Sequence, residues 1–300
     1  VGDDEQDEAD KVISTVRSLI YGQRKPGDIA IVYRSNSASR VLEQRLVSEG
    51  IPHVLIGARK FYERREIRDI LAYLKLILNP VDDVSFARVI NTPTRGIGAK
   101  SIAGIHAIAK ASGCSLLEAA GQWGTSGRGK ARVAATQFVT VLKELSVTAL
   151  EQDPAELVRQ LIDRTAYAER LRAENTQESA GRLENVMELC RAFEQDEDIE
   201  RDESPIERLQ RLVDRASLTG QDEQRSDMSN GAVTLLTAHL AKGLEFPVVF
   251  VVGMYEGGFP HFRAMEQLED VEEERRLVYV AFTRAEEKLY ISRPRRRFVF

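Results

Sequence analysis

Three short apolar runs, IAIVY (29–33), VTLLTA (233–238) and VVFVVG (248–253), constrain this chain more than any other feature. They are apolar on near-consecutive positions, so both faces of each strand must be covered, as in a buried parallel sheet. Parallel strands need long crossover connections, usually helical. Residues 5 to 20 read as a helix, with Val12, Ile13, Val16, Leu19 and Ile20 on one face. A second helix follows around Val41, Leu42, Leu46 and Val47, then a short strand in GIPHVLIG. After VVFVVG the stretch VEEERRLVYVAFTRAEE reads as helix and KLYIS as strand. The expected fold class is α/β, with helices layered on a parallel sheet.

From about residue 60 to 230 the texture changes. REIRDILAYLKLIL and RLENVMELCRAF carry apolar residues at helical intervals, and strand-like alternation is scarce. GTSGRGK (124–130) is a flexible loop by composition. The α/β texture at both ends therefore reads as one domain, 1–58 plus 231–300, interrupted by an all-helical insertion at 59–230. An insertion leaves and re-enters at neighbouring points, so the crossings near 58 and 230 are expected to form a paired hinge.

Composition excludes several classes. The longest apolar runs are strand-sized, short of the roughly 18 residues of a membrane helix, and the start, VGDDEQDEAD, lacks an export pattern. Cys114 and Cys190 lie far apart in helical patterns, so the chain reads as cytoplasmic, with two packing thiols. No metal-ligand spacing and no nucleophile triad is present. Net charge is −5, but it is unevenly spread. EQDEDIERDESPIE (194–207) reads as a solvated acidic loop. In RPRRRFVF, Arg293, Arg295, Arg296 and Arg297 adjoin Phe298 and Phe300, a combination suited to phosphates with stacked bases.

Four motifs carry candidate chemistry. In TPTRGIGAKS, Lys100 and Ser101 suit a P-loop but Ala99 replaces the required glycine, and GRGKA lacks the hydroxyl, so neither is one. TPTRGIGAKS is either a helix-start turn or a Gly-x-Gly grip on duplex phosphates, flanked by Arg95 and Lys100. VYRSNSASR places Arg34, Ser35, Asn36 and Ser37 after a strand, where ligands gather in open α/β sheets, although a capped turn fits equally. TAHLAKGLEF crowds His239, Lys242, Gly243 and Glu245 between two strands. Arg284 is either a surface arginine paired with Glu286 or Glu287, or an arginine finger for a transferring phosphoryl group.

Taken in order, AIVYRSNSASRVLEQRL, FYERREIRDILAYLKLILNPVDD, NTPTRGIG, TLLTAHLAKGLEFPVVFVVGMYEGGFPH and EEERRLVYVAFTRAEEKL resemble the UvrD/PcrA/Rep group of superfamily 1 DNA helicases. The resemblance runs from about 29 to 100 and from 232 to 292. It implies the second of two RecA-like motor domains, called 2A, a P-loop-NTPase-like fold without the P-loop, with the 2B insertion at 59–230. Arg284 then sits at the finger position, and Glu245, Gly243 and Lys242 at ATP-binding positions. Arg34, Asn36, Thr237, His239 and Phe300 match single-stranded DNA contacts. Thr94, Arg95, Gly96, Ile97, Gly98 and Lys100 match the duplex-contacting element. Leu240 departs from the group, where a small residue is usual.

The implied activity is ATP-dependent 3′-to-5′ translocation and unwinding. ATP with Mg²⁺ would be bound mainly by an N-terminal motor domain that this chain lacks. The expected partners are that domain, single-stranded DNA and single-strand/duplex junctions, with no membrane and no metal site in this chain. Without a P-loop, the fragment is expected to be inactive as an ATPase by itself. The rival readings are a non-catalytic DNA-binding or partner-docking module, and the motor part of a helicase–nuclease subunit.

Overall fold

The computed structural model describes residues 1–196, 203–219 and 231–296, apart from the side chains of 219, 263 and 266. The chain divides into two compact units, Val1–Phe61 with Gln221–Phe300, and Tyr62–Gly220.

In the first unit five parallel strands form one sheet: β1 (Ile29–Tyr33), β2 (His53–Leu55), β3 (Val233–Thr237), β4 (Phe246–Val251) and β5 (Ala285–Ile291), ordered β2-β3-β1-β4-β5. Alternation decides which side chain meets which layer. Ile29, Ile31 and Tyr33 point to the face packed by helices α1 (Glu5–Tyr21) and α2 (Ser39–Ser48), through Val12, Ile13, Val16, Leu42 and Leu46. Each large aliphatic so buried contributes about 1.5–3 kcal/mol of transfer free energy. Ala30 and Val32 point to the other face, covered by Leu277 and Ala281 of the last helix, Leu268–Phe282, and by Ala238 and Ala241 of the β3–β4 loop. Asp4 caps α1 by accepting from Asp7 N at 2.9 Å. Glu8 turns inward, where Gly253 N donates to it at 2.9 Å and Ser292 Oγ at 2.5 Å.

The helix expected across VEEERRLVYVAFTRAEE ends early, at Phe282, and β5 already begins at Ala285. The cause is pairing: Ala285 stands opposite Phe246, and Phe246 N donates to Arg284 O at 3.0 Å.

The second unit is helical among its described residues: α3 (Arg65–Leu78), α4 (Asp83–Val89), α5 (Ala99–Ser112), α6 (Leu116–Thr125), α7 (Lys130–Glu151), α8 (Pro154–Arg164), α9 (Tyr167–Glu174), α10 (Gln177–Glu194) and α11 (Pro205–Thr219). The Leu268–Phe282 helix is thus α12. Contrary to the sequence expectation, α7 is long and apolar enough to cross a membrane by length and composition alone. Its buried residues, Ala135, Phe138, Val139, Leu142, Leu145 and Ala149, recur at helical spacing, as a core helix requires. Buried carboxylates are paired: Asp69 with Arg88 at 2.7 Å and with the Tyr167 hydroxyl at 3.0 Å, and Glu66 with Asn185 at 2.6 Å. Asp196, expected in a solvated acidic loop, is buried between Arg211 and Arg215, both at 2.7 Å. Burial opposes its ionisation, yet hydrogen bonds from both arginines hold its carboxyl below the usual range. Cys190 is buried, whereas Cys114 is half-buried in the α5–α6 turn rather than within a helix.

Candidate functional site

Strand register separates residues that the sequence puts side by side. Tyr33 and Thr237 pair at the carboxyl end of β1 and β3, whereas Phe246 and Ala285 pair at the amino end of β4 and β5. The eight residues from Ala238 to Glu245 therefore cross one face of the sheet from its carboxyl edge to its amino edge. Ala238 and Ala241 are fully buried against that face, and their small size lets the backbone lie close. Leu240 N and Ala241 N both donate to Thr237 O, at 3.0 and 3.1 Å, which winds the first part of the loop. Gly243 holds φ +83°, in the left-handed region that favours glycine.

At the carboxyl edge lie Arg34, Asn36, Thr237 and His239. Thr237 is buried and His239 exposed. Arg34 is bound to Glu274 of α12: its Nε donates to both carboxylate oxygens, at 2.7 and 3.0 Å, and its Nη2 reaches Oε1 at 2.7 Å. Glu274 also accepts from His261 N at 3.0 Å. Asn36 opens a short helical turn in which Ser35 accepts from Ser37 N. Although His239 is exposed, partial desolvation, and then the positive charge of Arg34, push its imidazole below its ordinary range.

At the amino edge Lys242 and Glu245 are exposed. Arg284, with 17% of its side chain accessible, closes the end of α12 and clasps the loop. Its Nε donates to Val280 O at 3.0 Å, Nη1 to Leu244 O at 3.1 Å and Nη2 to Thr283 Oγ1 at 3.0 Å. Glu245 stands 3.8 Å from Nη1, and neither Glu286 nor Glu287, the surface partners open in the sequence, takes that guanidinium in a described ion pair. Glu287 pairs instead with Arg24, at 2.6 Å. A lysine, a carboxylate, a glycine turn and a guanidinium at one edge form a donor set that fits the phosphates and sugar of a nucleotide. Among the described residues no three His, Cys, Asp or Glu side chains gather as a metal ion needs. Phe300 lies outside the described residues.

In the second unit TPTRGIGAK forms a turn into α5. Gly96 holds φ +75°, and Gly98 starts the helix without a side-chain cap. Thr94, Gly96, Gly98 and Lys100 are exposed, and Ile97 is fully buried as the anchor. Arg95 turns inward. Its Nη1 donates to Val89 O at 2.9 Å, its Nη2 to the Tyr73 hydroxyl at 2.5 Å, and it lies 5.1 Å over the Phe138 ring. Asn91 Oδ1 accepts from Arg95 N at 2.7 Å and Ile97 N at 3.3 Å, so these contacts shape the turn from within. Sequence spacing could not show this, because Tyr73 and Phe138 meet Arg95 only through helix packing. The outward groups are Thr94, the glycines and Lys100.

A wholly parallel sheet with charged groups gathered at the ends of its strands, and a helical unit interposed in chain order, defines the RecA-like α/β class. Residues 1–296 match the model of the UvrD-like helicase C-terminal domain, and the chain belongs to that family. It is 41% identical over 303 residues to the ATP-dependent DNA helicase PcrA of Bacillus subtilis (strain 168), which matches 100% of this chain and 41% of the relative. PcrA of Staphylococcus aureus (strain NCTC 8325 / PS 47) is 39% identical, with 99% of this chain and 40% of the relative covered. The ATP-dependent DNA helicase UvrD1 of Mycobacterium bovis (strain ATCC BAA-935 / AF2122/97) is 39% identical, with 98% and 40% covered. The chain thus spans about two-fifths of the length of these relatives.

Proposed function

We propose that this chain is the C-terminal motor part of an ATP-dependent 3′-to-5′ DNA helicase, with its sheet unit as 2A and its helical unit as the 2B insertion. The observation that carries the reading is the 238–245 loop. It ends at Arg284 and Glu245 on one edge of the sheet and begins at Thr237 and His239 on the other. A displacement of Arg284 or Glu245 at the amino edge is transmitted along a segment docked by Ala238 and Ala241 to the carboxyl edge. There Arg34, Asn36, Thr237 and His239 would hold single-stranded DNA through its backbone, with affinity falling steeply as salt rises.

ATP with Mg²⁺, held mainly by a partner motor domain, supplies the hydrolytic energy. This chain's part is to present a guanidinium to the γ-phosphate, and Lys242, Gly243 and Glu245 to the rest of the nucleotide. Arg284 is parked on Val280 O and Leu244 O and has to release at least one of them to serve as a finger. In the helical unit Thr94, Gly96, Gly98 and Lys100 would contact duplex ahead of the single strand, with Ile97 and Arg95 bracing the turn from inside.

The test is Arg284→Ala in the full-length parent protein. ATP turnover is expected to fall about 10³-fold while ATP binding is largely retained. Near-normal turnover removes Arg284 from the reaction. The purified 300-residue chain should show no DNA-stimulated ATP hydrolysis, because it has no phosphate-cradling loop.

A further inference from the structure

Charge in the helical unit is segregated. Between Val84 and Lys143, in a chain of net charge −5, lysines and arginines recur and Glu118 is the sole carboxylate. Helix packing brings two parts of this segment together. Gly104 of α5 lies so close to Trp123 of α6 that a Cβ there would come within 2.6 Å of the indole Nε1. Arg132, in the first turn of α7, lies 4.4 Å over the same indole and donates to Trp123 O and Ser126 Oγ. The α6–α7 loop is thereby fixed beside the early turns of α5, at the end that carries Lys100. Residues 125–130 and 98–100 are all exposed. Glu118 sits in the first turn of α6, at the opposite end of that helix. Among the described residues, Lys100, Arg128 and Lys130 enter no ion pair.

We propose that the α6–α7 loop, through Arg128 and Lys130, is a second contact for the backbone of duplex nucleic acid, beside the TPTRGIGAK turn. This rests on the reading of that turn as a duplex contact. Cations from two separate loops, with the segment's one carboxylate, Glu118, at the other end of α6, suit a line of phosphates, which are gripped without regard to sequence. A single strand is the poorer fit. Trp123 is the only Phe, Tyr or Trp between residues 96 and 132, and its ring is covered by Arg132 and crowded by Gly104, which leaves no platform for an unpaired base. Arg132 is a positioning residue, since its guanidinium is engaged by Trp123 and Ser126.

The experiment is fluorescence anisotropy of the whole chain with a blunt DNA duplex and with one of its single strands, across a salt series. For the duplex, Arg128→Ala/Lys130→Ala should reduce the slope of log Kobs against log salt by about two, and Lys100→Ala by about one. Lys110→Ala, at the far end of α5, should leave the slope unchanged, and single-strand binding should not respond to the double variant. An unchanged duplex slope in the double variant, with Lys100→Ala still effective, overturns the second contact and leaves the first reading standing. An equal effect of Lys110→Ala, or equal loss of single-strand binding, also overturns it. If the unaltered chain does not bind duplex, both readings fall.

Discussion

Arg34, at the carboxyl end of β1, and Glu274, in α12, form a bidentate ion pair with N–O distances of 2.7, 3.0 and 2.7 Å. Glu274 has 4% of its side chain accessible and Arg34 17%, so removing the carboxylate leaves a guanidinium largely enclosed and uncompensated. Breaking such a pair costs about 3–5 kcal/mol when fully buried, and the access left to Arg34 puts Glu274→Ala near the lower end. Arg34→Met/Glu274→Leu should recover the part of that loss due to the enclosed charge, but not the part due to the His261 N–H, which loses this acceptor in both variants. Urea unfolding of the three proteins checks this. A double variant as unstable as the single would mean that the charges stabilise the fold outright.

Glu8 behaves in the opposite sense. Burial raises its carboxyl above the ordinary value of 4.5, and the bonds from Gly253 N and Ser292 Oγ offset this only in part. The folded chain therefore holds the proton more tightly than the unfolded one. Glu8 contributes full stability below 4.5 and loses it as pH rises through the folded value. Glu8→Gln keeps an acceptor for Gly253 and cannot ionise. The stability of Glu8→Gln relative to the unaltered chain should rise with pH across that window and then level off. Parallel pH profiles from urea midpoints would falsify this assignment.

The parallel sheet was legible because IAIVY, VTLLTA and VVFVVG are apolar on both faces, which leaves few ways to bury them. The end of α12 was not. The run from Val271 to Glu287 keeps helical character throughout, and the break at Thr283 exists only because Ala285 finds Phe246 across the sheet. Glu286, Glu287 and Lys288, exposed on the edge strand β5, carry no apolar signal of a strand. The candidate residues of TAHLAKGLEF were legible as a set. Their separation to two edges depends on register, which no local pattern encodes. Arg95 shows the same limit, since its residue type suggested an outward contact and its neighbours in space turn it inward.

His239 should act as a neutral group at pH 7. Partial desolvation is the larger cause and the charge of Arg34 the next, while Glu274 and Glu273 pull the other way. A neutral imidazole displaces no counterion from a phosphate. His239→Gln in the full-length protein should therefore leave the salt slope of single-strand binding unchanged at pH 7, whatever it does to affinity. A slope smaller by about one would show a charged imidazole at the phosphate.

Leu240 has a partner that accounts for its fit. Gly57, just after β2, holds φ +72°, and a Cβ added there would lie 2.4 Å from Leu240 Cδ1. Gly57→Ala thus meets two separable penalties: a left-handed backbone, about 1–2 kcal/mol for a residue with a Cβ, and a clash with the leucine tip. Leu240 is 41% exposed, so Leu240→Ala alone should cost less than about 1 kcal/mol. With Leu240 truncated the clash disappears and only the backbone penalty of Gly57→Ala remains. The double variant should then be more stable than the sum of the single losses predicts, by about 0.5–1 kcal/mol, the coupling expected of touching side chains. Urea unfolding of the four proteins measures this. Strictly additive losses would mean that the leucine moves aside at no cost, and that a large side chain at 240 does nothing to seat the loop against the residues following β2.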